Sequence, residues 1–234
     1  MEIKEDPQFR AEIINKIRER EFNVRTGIHQ SDLNYCLNKQ ALRKFNPVED
    51  SEQDVLVFSV GWSTQSWISG QTEDEPELEK DGIIVTRDAL YQGVPWELKA
   101  TWQSASKPIE ENLQYIRQIM AQCYVQEVTE AYLTRFELAG DWGSIYPKGS
   151  TKAEKAAYRL AHPKPTLHAY RLSFTQQELD KNWIWFKDRK ELYQGILDTK
   201  KLLPKILALP PGGSWECSYC SYRGDCDKTQ QEKL

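Results

Sequence analysis

The chain has no run of apolar residues long enough to span a bilayer, which excludes a helical membrane protein. Its start, Met-Glu-Ile-Lys-Glu-Asp, lacks the apolar core of a signal peptide, so a cytoplasmic location is expected. There is no internal repeat and no low-complexity tract. Positive charge is not in excess. The net charge of -4 is not that of a general nucleic-acid coat. It leaves a nucleic-acid enzyme open, because a metal ion supplies charge at a site and basic residues cluster locally. The three histidines, His29, His162 and His168, show no metal-ligand spacing and read as structural or solvated. What remains is a soluble, globular composition: 234 residues, 39% hydrophobic and 28% charged.

Cysteine is scarce but concentrated. Cys217, Cys220 and Cys226 fall within one short stretch, Cys217-Ser-Tyr-Cys220-Ser-Tyr-Arg-Gly-Asp-Cys226. In a reducing compartment these thiols favour metal over disulfide. Zinc and cubane iron–sulfur centres both take four ligands, so three thiolates are an incomplete site. Cys36 is the candidate fourth. A site built from both ends of the chain would make metal binding part of the folding energy. Zinc, an iron–sulfur cluster and plain reduced thiols all stay open on spacing alone. Cys123 lies among apolar neighbours and reads as core.

A second constellation lies between those ends, in Asp88-Ala-Leu-Tyr-Gln-Gly-Val-Pro-Trp-Glu97-Leu-Lys99. A two-residue turn at Gln92-Gly93 pairs 91 with 94, 90 with 95 and 89 with 96, which sets Asp88 across from Glu97. Alternation puts Lys99 on the same face. Two carboxylates this close repel unless something positive sits between them. Two carboxylates plus waters suit magnesium or manganese. The lysine can orient a water or offset developing phosphate charge. The bland alternative is a ladder of alternating charge on a half-exposed hairpin. Asp81 is a rival acid, but the same count sets it opposite residue 104, too far from Glu97.

The pattern predicts a first helix to about residue 21, with Asp6 as N-cap and Pro7 at its first position. Ser31 is expected to cap a second helix carrying Cys36. The β-rich run 54–60 reads as a strand, and 61–70 is ambiguous. The run 73–79 is an acidic loop. Residues 81–90 and 94–101 form the hairpin. A helix is expected from Pro108 to about Val128, then strands over 130–138 and 166–174. Thr175-Gln-Gln-Glu178 is a capping box that starts a helix towards 205. The stretch 140–165 reads as an insertion, with a short helix near 152–161. This order predicts an α/β fold, a mixed central sheet flanked by helices.

Taken together, these residues resemble the RecB-like branch of the PD-(D/E)XK nucleases, in particular its iron–sulfur members. Those include the CRISPR-associated adaptation exonucleases and the AddAB nuclease domain. The resemblance implies a restriction-endonuclease-like core and a single nuclease domain over 1–234, with a catalytic core at 81–138. It implies a four-iron four-sulfur (4Fe-4S) cluster on Cys36, Cys217, Cys220 and Cys226, held by regions 31–45 and 212–228. Asp88, Glu97 and Lys99 match the family's catalytic aspartate and Glu-x-Lys, and Gln118 matches the glutamine of its next helix. Mg2+ or Mn2+ would sit on Asp88, Glu97 and the Leu98 carbonyl. The implied activity is metal-dependent DNA hydrolysis, as an exonuclease on single-stranded or free ends. The implied partners are DNA and the proteins of CRISPR adaptation or phage and bacterial recombination. Two positions depart from the family. Gln122 stands where it usually has tyrosine. Gln65, in Gly61-Trp-Ser-Thr-Gln65, stands where many members have a histidine ligand.

The alternative is a non-catalytic protein, stabilised by iron–sulfur or zinc, that binds nucleic acid or a partner. Trp96 and Trp102 flank the proposed site and are candidates for base stacking. The basic residues Lys148, Lys152, Lys155, Arg159, Lys164, Lys187, Arg189, Lys190, Lys200 and Lys201 serve either solubility or phosphate contact.

Overall fold

The computed structural model describes residues 4–21, 25–71, 75–101, 108–138, 149–161 and 165–231. The chain begins with α1 (Pro7–Glu21), entered through Asp6, whose carboxylate accepts the Phe9 N–H at 3.0 Å. Next come α2 (Gln30–Asn34), α3 (Leu37–Phe45) and α4 (Glu52–Ser69). A small hairpin, β1 (Leu78–Lys80) and β2 (Ile83–Val85), precedes β3 (Ala89–Tyr91) and β4 (Val94–Thr101). A 3-10 turn (Ile109–Glu111) leads into α5 (Leu113–Gln126), then β5 (Glu130–Glu137), α6 (Lys152–Ala161) and β6 (Thr166–Ser173). The long α7 (Gln176–Thr199), a short α8 (Lys205–Ala208), a 3-10 stretch (Gly213–Tyr219) and α9 (Arg223–Gln231) follow.

The main sheet has the order β3-β4-β5-β6. The central β4–β5 pair is parallel and both flanking pairs are antiparallel. A parallel pair needs a crossover, and α5 supplies it. The predicted mixed sheet flanked by helices is what forms.

The hairpin register is the one read from the sequence: Ala89 pairs with Trp96, Leu90 with Pro95 and Tyr91 with Val94. Gln92 and Gly93 both have positive φ, 53° and 81°, as a two-residue turn of primed type requires. The amide of Gln126, at the end of α5, donates to the Gly93 carbonyl at 2.6 Å and holds the turn down.

Alternation fixes the two faces of the sheet. Ala131 and Leu133 of β5 pack with Ile119 and Cys123 of α5 and with Leu179 of α7. Cys123 is fully buried there, as expected of a core cysteine. Glu97 is level with Leu133 and Lys99 with Arg135, so both point to the α5 face. A second cluster joins Leu33 and Leu37 to Ile83, Val85, Trp183, Phe186 and Tyr193. Large side chains buried in this way contribute about 1.5–3 kcal/mol each. This cluster seats α2, α3 and α7 against the site.

Several expectations are corrected. Residues 54–60 are helical, part of α4, and the ambiguous 61–70 continues that helix. Ser51 Oγ accepts the Asp54 N–H at 3.1 Å and Asp54 Oδ2 accepts the Ser51 N–H at 3.2 Å. This capping box satisfies two otherwise orphaned donors and overrides the weak β-propensity of the valines. Gly70 closes the helix at φ 69°. Ser31 is no cap: His29 holds that position for α2, and Cys36 is the N-cap of α3 rather than part of a helix. Residues 81–90 are not one strand, because Asp81 and Gly82, both at positive φ, turn β1 into β2. The helix expected from Pro108 begins only at Leu113, and α7 stops at Thr199, where Lys200 takes φ 54°. The short helix of the 140–165 stretch is present as α6, while 140–148 and 162–164 lie outside the described residues. No helix among the described residues is long and apolar enough to cross a membrane.

Candidate active site and cysteine layer

Strand β4 carries Glu97 and Lys99 side by side on the α5 face. Asp88 reaches them from the residue just before β3. Glu97 is wholly buried. It ion-pairs with the Lys99 ammonium and accepts a 2.6 Å hydrogen bond from Gln122 Nε2. Asp88 Oδ2 accepts the Leu98 N–H at 2.8 Å. Lys99 Nζ donates to Gln118 Oε1 at 3.3 Å and lies 5.3 Å from the centroid of the Tyr115 ring. The structure therefore brings together Asp88, Glu97, Lys99 and Gln118. The Lys99 side chain is 21% exposed, and Asp88 and Gln118 are also only half-buried, so the cluster is open to solvent.

The electrostatics are those of a crowded carboxylate pair. Burial first, and Glu97 second, push the Asp88 carboxyl up to about 7. Burial alone would lower the Lys99 ammonium. Glu97 and Asp88 more than offset that and hold it above the usual lysine range. One ammonium thus serves two carboxylates.

Gln122, Tyr115 and Tyr35 also belong to the site; of these the sequence analysis singled out only Gln122, as a departure from the resembled family's usual tyrosine. Gln122 follows Gln118 by one helical turn, and that spacing was the available signal. Tyr35 carries no motif. Burial pushes its phenol upward and Lys99 pulls it back, with Tyr115 and Glu97 in the same field. Gln65, on α4, donates its amide to the Asp88 carbonyl at 3.2 Å, so it grips the backbone of the acid from the opposite face of the sheet. Asp81 acts elsewhere, where its carboxylate accepts the Trp183 indole N–H at 2.8 Å. Trp96 is not a flank of the site. It points to the α4 face, where its indole donates to Thr134 Oγ1 at 3.2 Å. Trp102, Lys148 and Lys164 lie outside the described residues, as does His162. His29 is buried, with ring Nε2 2.9 Å from the Thr26 carbonyl.

Cys36, Cys217, Cys220 and Cys226 line one hollow between α3, α8 and the C-terminal elements, together with Asn38, Lys39 and Lys205. The four are free thiols. Among the described residues, no three His, Cys, Asp or Glu side chains close tightly enough to hold a metal ion. The cysteines thus share a neighbourhood without a closed ligand shell. Burial pushes the Cys36 thiol up to about 11 and also raises Cys226. Such thiols become thiolates when a cation compensates the charge. Their chemistry fits a thiophilic centre. Two buried charged residues brace this layer. Arg189 donates to the carbonyls of Leu33 and Tyr35, both at 2.5 Å, and of Ala208 at 3.0 Å. Arg189 is therefore a structural clamp and not a surface phosphate contact. Glu216 accepts the Cys36 N–H at 3.1 Å.

No family model and no curated protein matches the chain. Solved structures do. The chain is similar to the crystal structure of SSO0001, with a TM-score of 0.57 at 14% identity over 92% of this chain and 95% of that one. A phage-related exonuclease from Haemophilus somnus 129PT gives 0.47 at 9% identity, over 75% of this chain and 96% of that one. The alkaline exonuclease LHK-Exo from Laribacter hongkongensis gives 0.42 at 10% identity, over 79% of this chain and 89% of that one. The fold of this chain is therefore one that SSO0001 shares.

Proposed function

We propose that the chain is a divalent-metal-dependent deoxyribonuclease whose site is Asp88, Glu97, Lys99 and Gln118. The observation that carries this reading is a buried carboxylate, Glu97, and a half-buried one, Asp88, beside a single lysine. The pair is short of positive charge, and hard carboxylate oxygens are the donors that magnesium and manganese take. Asp88, Glu97 and the Leu98 carbonyl would hold the ion. When bound, such an ion lowers the pKa of a water and stabilises charge on a phosphate oxygen. The protein's own residues do the rest. Gln122 fixes Glu97, and the Leu98 N–H fixes Asp88. Lys99, held by Glu97 and Gln118, would offset developing phosphate charge. Gln118 sets the direction of that ammonium.

The cysteine layer would carry the 4Fe-4S cluster that the sequence resemblance implies. It joins α3 to the C-terminal elements as a structural staple. By the same resemblance, DNA with free or single-stranded ends is the substrate. CRISPR adaptation or phage and bacterial recombination is the setting, with the proteins of that machinery as partners.

The test is cleavage of end-labelled DNA by anaerobically purified protein, with and without Mg2+ or Mn2+, beside a Glu97→Ala control. Ion-dependent shortening that the control lacks supports the reading. Equal cutting of closed circular duplex would remove the end preference. One observation favours a second reading. Gln65, at the position where the resembled family often has a histidine ligand, spends its amide N–H on the Asp88 carbonyl. A non-catalytic, metal-stabilised nucleic-acid-binding protein would bind the same DNA and leave it intact.

A further inference from the structure

One buried amide in the cysteine layer carries a donor that its backbone partner does not use. Asn38 sits on α3, two residues after Cys36, and is 1% exposed. Its carboxamide faces a single residue of the connection between α7 and α8. Oδ1 accepts the Leu203 N–H at 3.0 Å, and Nδ2 donates to the Leu203 carbonyl at 2.8 Å. That pair fixes which end of the amide is oxygen. A flipped side chain would set its NH2 against the Leu203 N–H and its oxygen against the carbonyl. Nδ2 carries two N–H groups, and Leu203 takes one. The other has Cys226 Sγ at 3.8 Å, in a contact closed to solvent. Sulfur is large, so this separation is within reach of an N–H···S bond.

A neutral thiol is a weak acceptor and gives such a donor little. A thiolate is a better one, because hydrogen bonds to charged groups are stronger than neutral ones. We propose that Asn38 is a positioning residue for the thiophilic centre, donating its second amide N–H to the Cys226 sulfur and holding that sulfur in place as a metal-bound thiolate. The inference rests on the cysteine-layer reading above and deepens it, because it gives one ligand sulfur a specific protein partner. It does not depend on the carboxylate site. The competing explanation is a plain structural one, in which Asn38 only ties α3 to Leu203. Asn34 provides the matched case. It is equally buried and ties α2 to α5 through the Gln114 carbonyl at 2.8 Å, with no hydrogen bond to a sulfur among the described residues.

The experiment compares Asn38→Leu with Asn34→Leu in full-length, anaerobically purified protein. The readouts are iron, sulfide and zinc content, the rate at which that metal passes to excess chelator below every melting transition, and the thermal midpoint. Both variants are expected to lose thermal stability. Only Asn38→Leu is expected to release metal faster, by about tenfold or more, as for other residues that bond to a ligating group. If the metal is iron, the reduction potential of Asn38→Leu is also expected to fall while that of Asn34→Leu holds, because N–H bonds to sulfur favour the reduced, more negative centre. If it is zinc, release alone decides. Parent-like release from Asn38→Leu overturns the inference. So does equal acceleration in both variants, the mark of ordinary loosening, or an unmoved potential in an iron protein. Should Asn38→Leu fail to fold, Asn38→Asp keeps the shape and an oxygen for the Leu203 N–H but sets a second oxygen against the sulfur. The same acceleration is expected of it, and parent-like release again overturns the inference. Parent protein without metal removes the cysteine-layer reading and this inference with it. Metal held equally well by parent and Asn38→Leu removes the inference alone.

Discussion

Gln122 donates a 2.6 Å hydrogen bond to a carboxylate, Glu97, that no solvent reaches. The same Nε2 also donates to the Thr86 carbonyl at 3.1 Å, so one amide ties α5 to the segment before β3. Hydrogen bonds to buried charge are among the stronger ones, and an abandoned acceptor costs its desolvation. Gln122→Ala is expected to lower unfolding free energy by about 2–3 kcal/mol. Urea denaturation at neutral pH with EDTA measures it. A change below about 0.5 kcal/mol, typical of a surface substitution, would mean that Glu97 does not depend on this bond.

The hairpin was legible in the sequence because its determinants are local. Gln92-Gly93 fixes the turn, the turn fixes the register, and the register sets Glu97 and Lys99 on one face. Helix α5 was legible in outline for a similar reason. Helix α4 was not. Valine and phenylalanine in 54–60 pointed to a strand, while the decisive signal was the Ser51-x-x-Asp54 box just before it. The partners of the site were the least legible. Tyr35, Arg189 and Glu216 meet only through tertiary packing of α2, α7 and the C-terminal stretch, and nothing in their spacing announces it.

The cysteine layer separates the five thiols into two kinds. Cys36 shares its hollow with three others, whereas Cys123 is enclosed between α5 and β5. Cys36→Ala is expected to lose bound metal and much of its thermal stability, because it unlinks α3 from the C-terminal elements. Cys123→Ala is expected to keep the metal and lose only packing energy. Iron, sulfide and zinc analysis of anaerobic preparations reads the outcome. Full metal retention by Cys36→Ala would remove Cys36 from the ligand set. Stoichiometric zinc in colourless parent protein would replace the iron–sulfur assignment.

Arg189 serves three backbone carbonyls from the interior of α7. Burial lowers its guanidinium to about 10, which still leaves it charged at neutral pH. Arg189→Met preserves length and apolar character but leaves those carbonyls without a donor. A loss of about 3–5 kcal/mol is expected, as for other broken buried charged contacts. A guanidinium chloride titration with an unchanged m-value would confirm that stability, and not cooperativity, has moved.

The two carboxylates of the site are not equivalent, and the difference gives opposite signs of stability change for the same loss of activity. Glu97 carries the Lys99 ion pair and the Gln122 hydrogen bond. Removing it leaves the Lys99 ammonium and the Gln122 amide without their main acceptor. Glu97→Ala is therefore expected to cost about 3–5 kcal/mol in the metal-free protein. Asp88 is the strained member. Burial and the neighbouring Glu97 both oppose its charge, and Lys99 and the Leu98 N–H only partly offset them. Asp88→Asn keeps an oxygen for that N–H and removes the repulsion. Its thermal midpoint in EDTA is expected to equal or exceed the parent's. Both substitutions take away a carboxylate ligand for the proposed ion, so both are expected to abolish divalent-dependent cleavage. Parallel melting curves in EDTA and cleavage assays in Mn2+ test the pair together. Loss of stability in Asp88→Asn would show that its charge is a structural anchor. Retained cleavage in both variants, with contaminating nuclease excluded, would move the chemistry elsewhere.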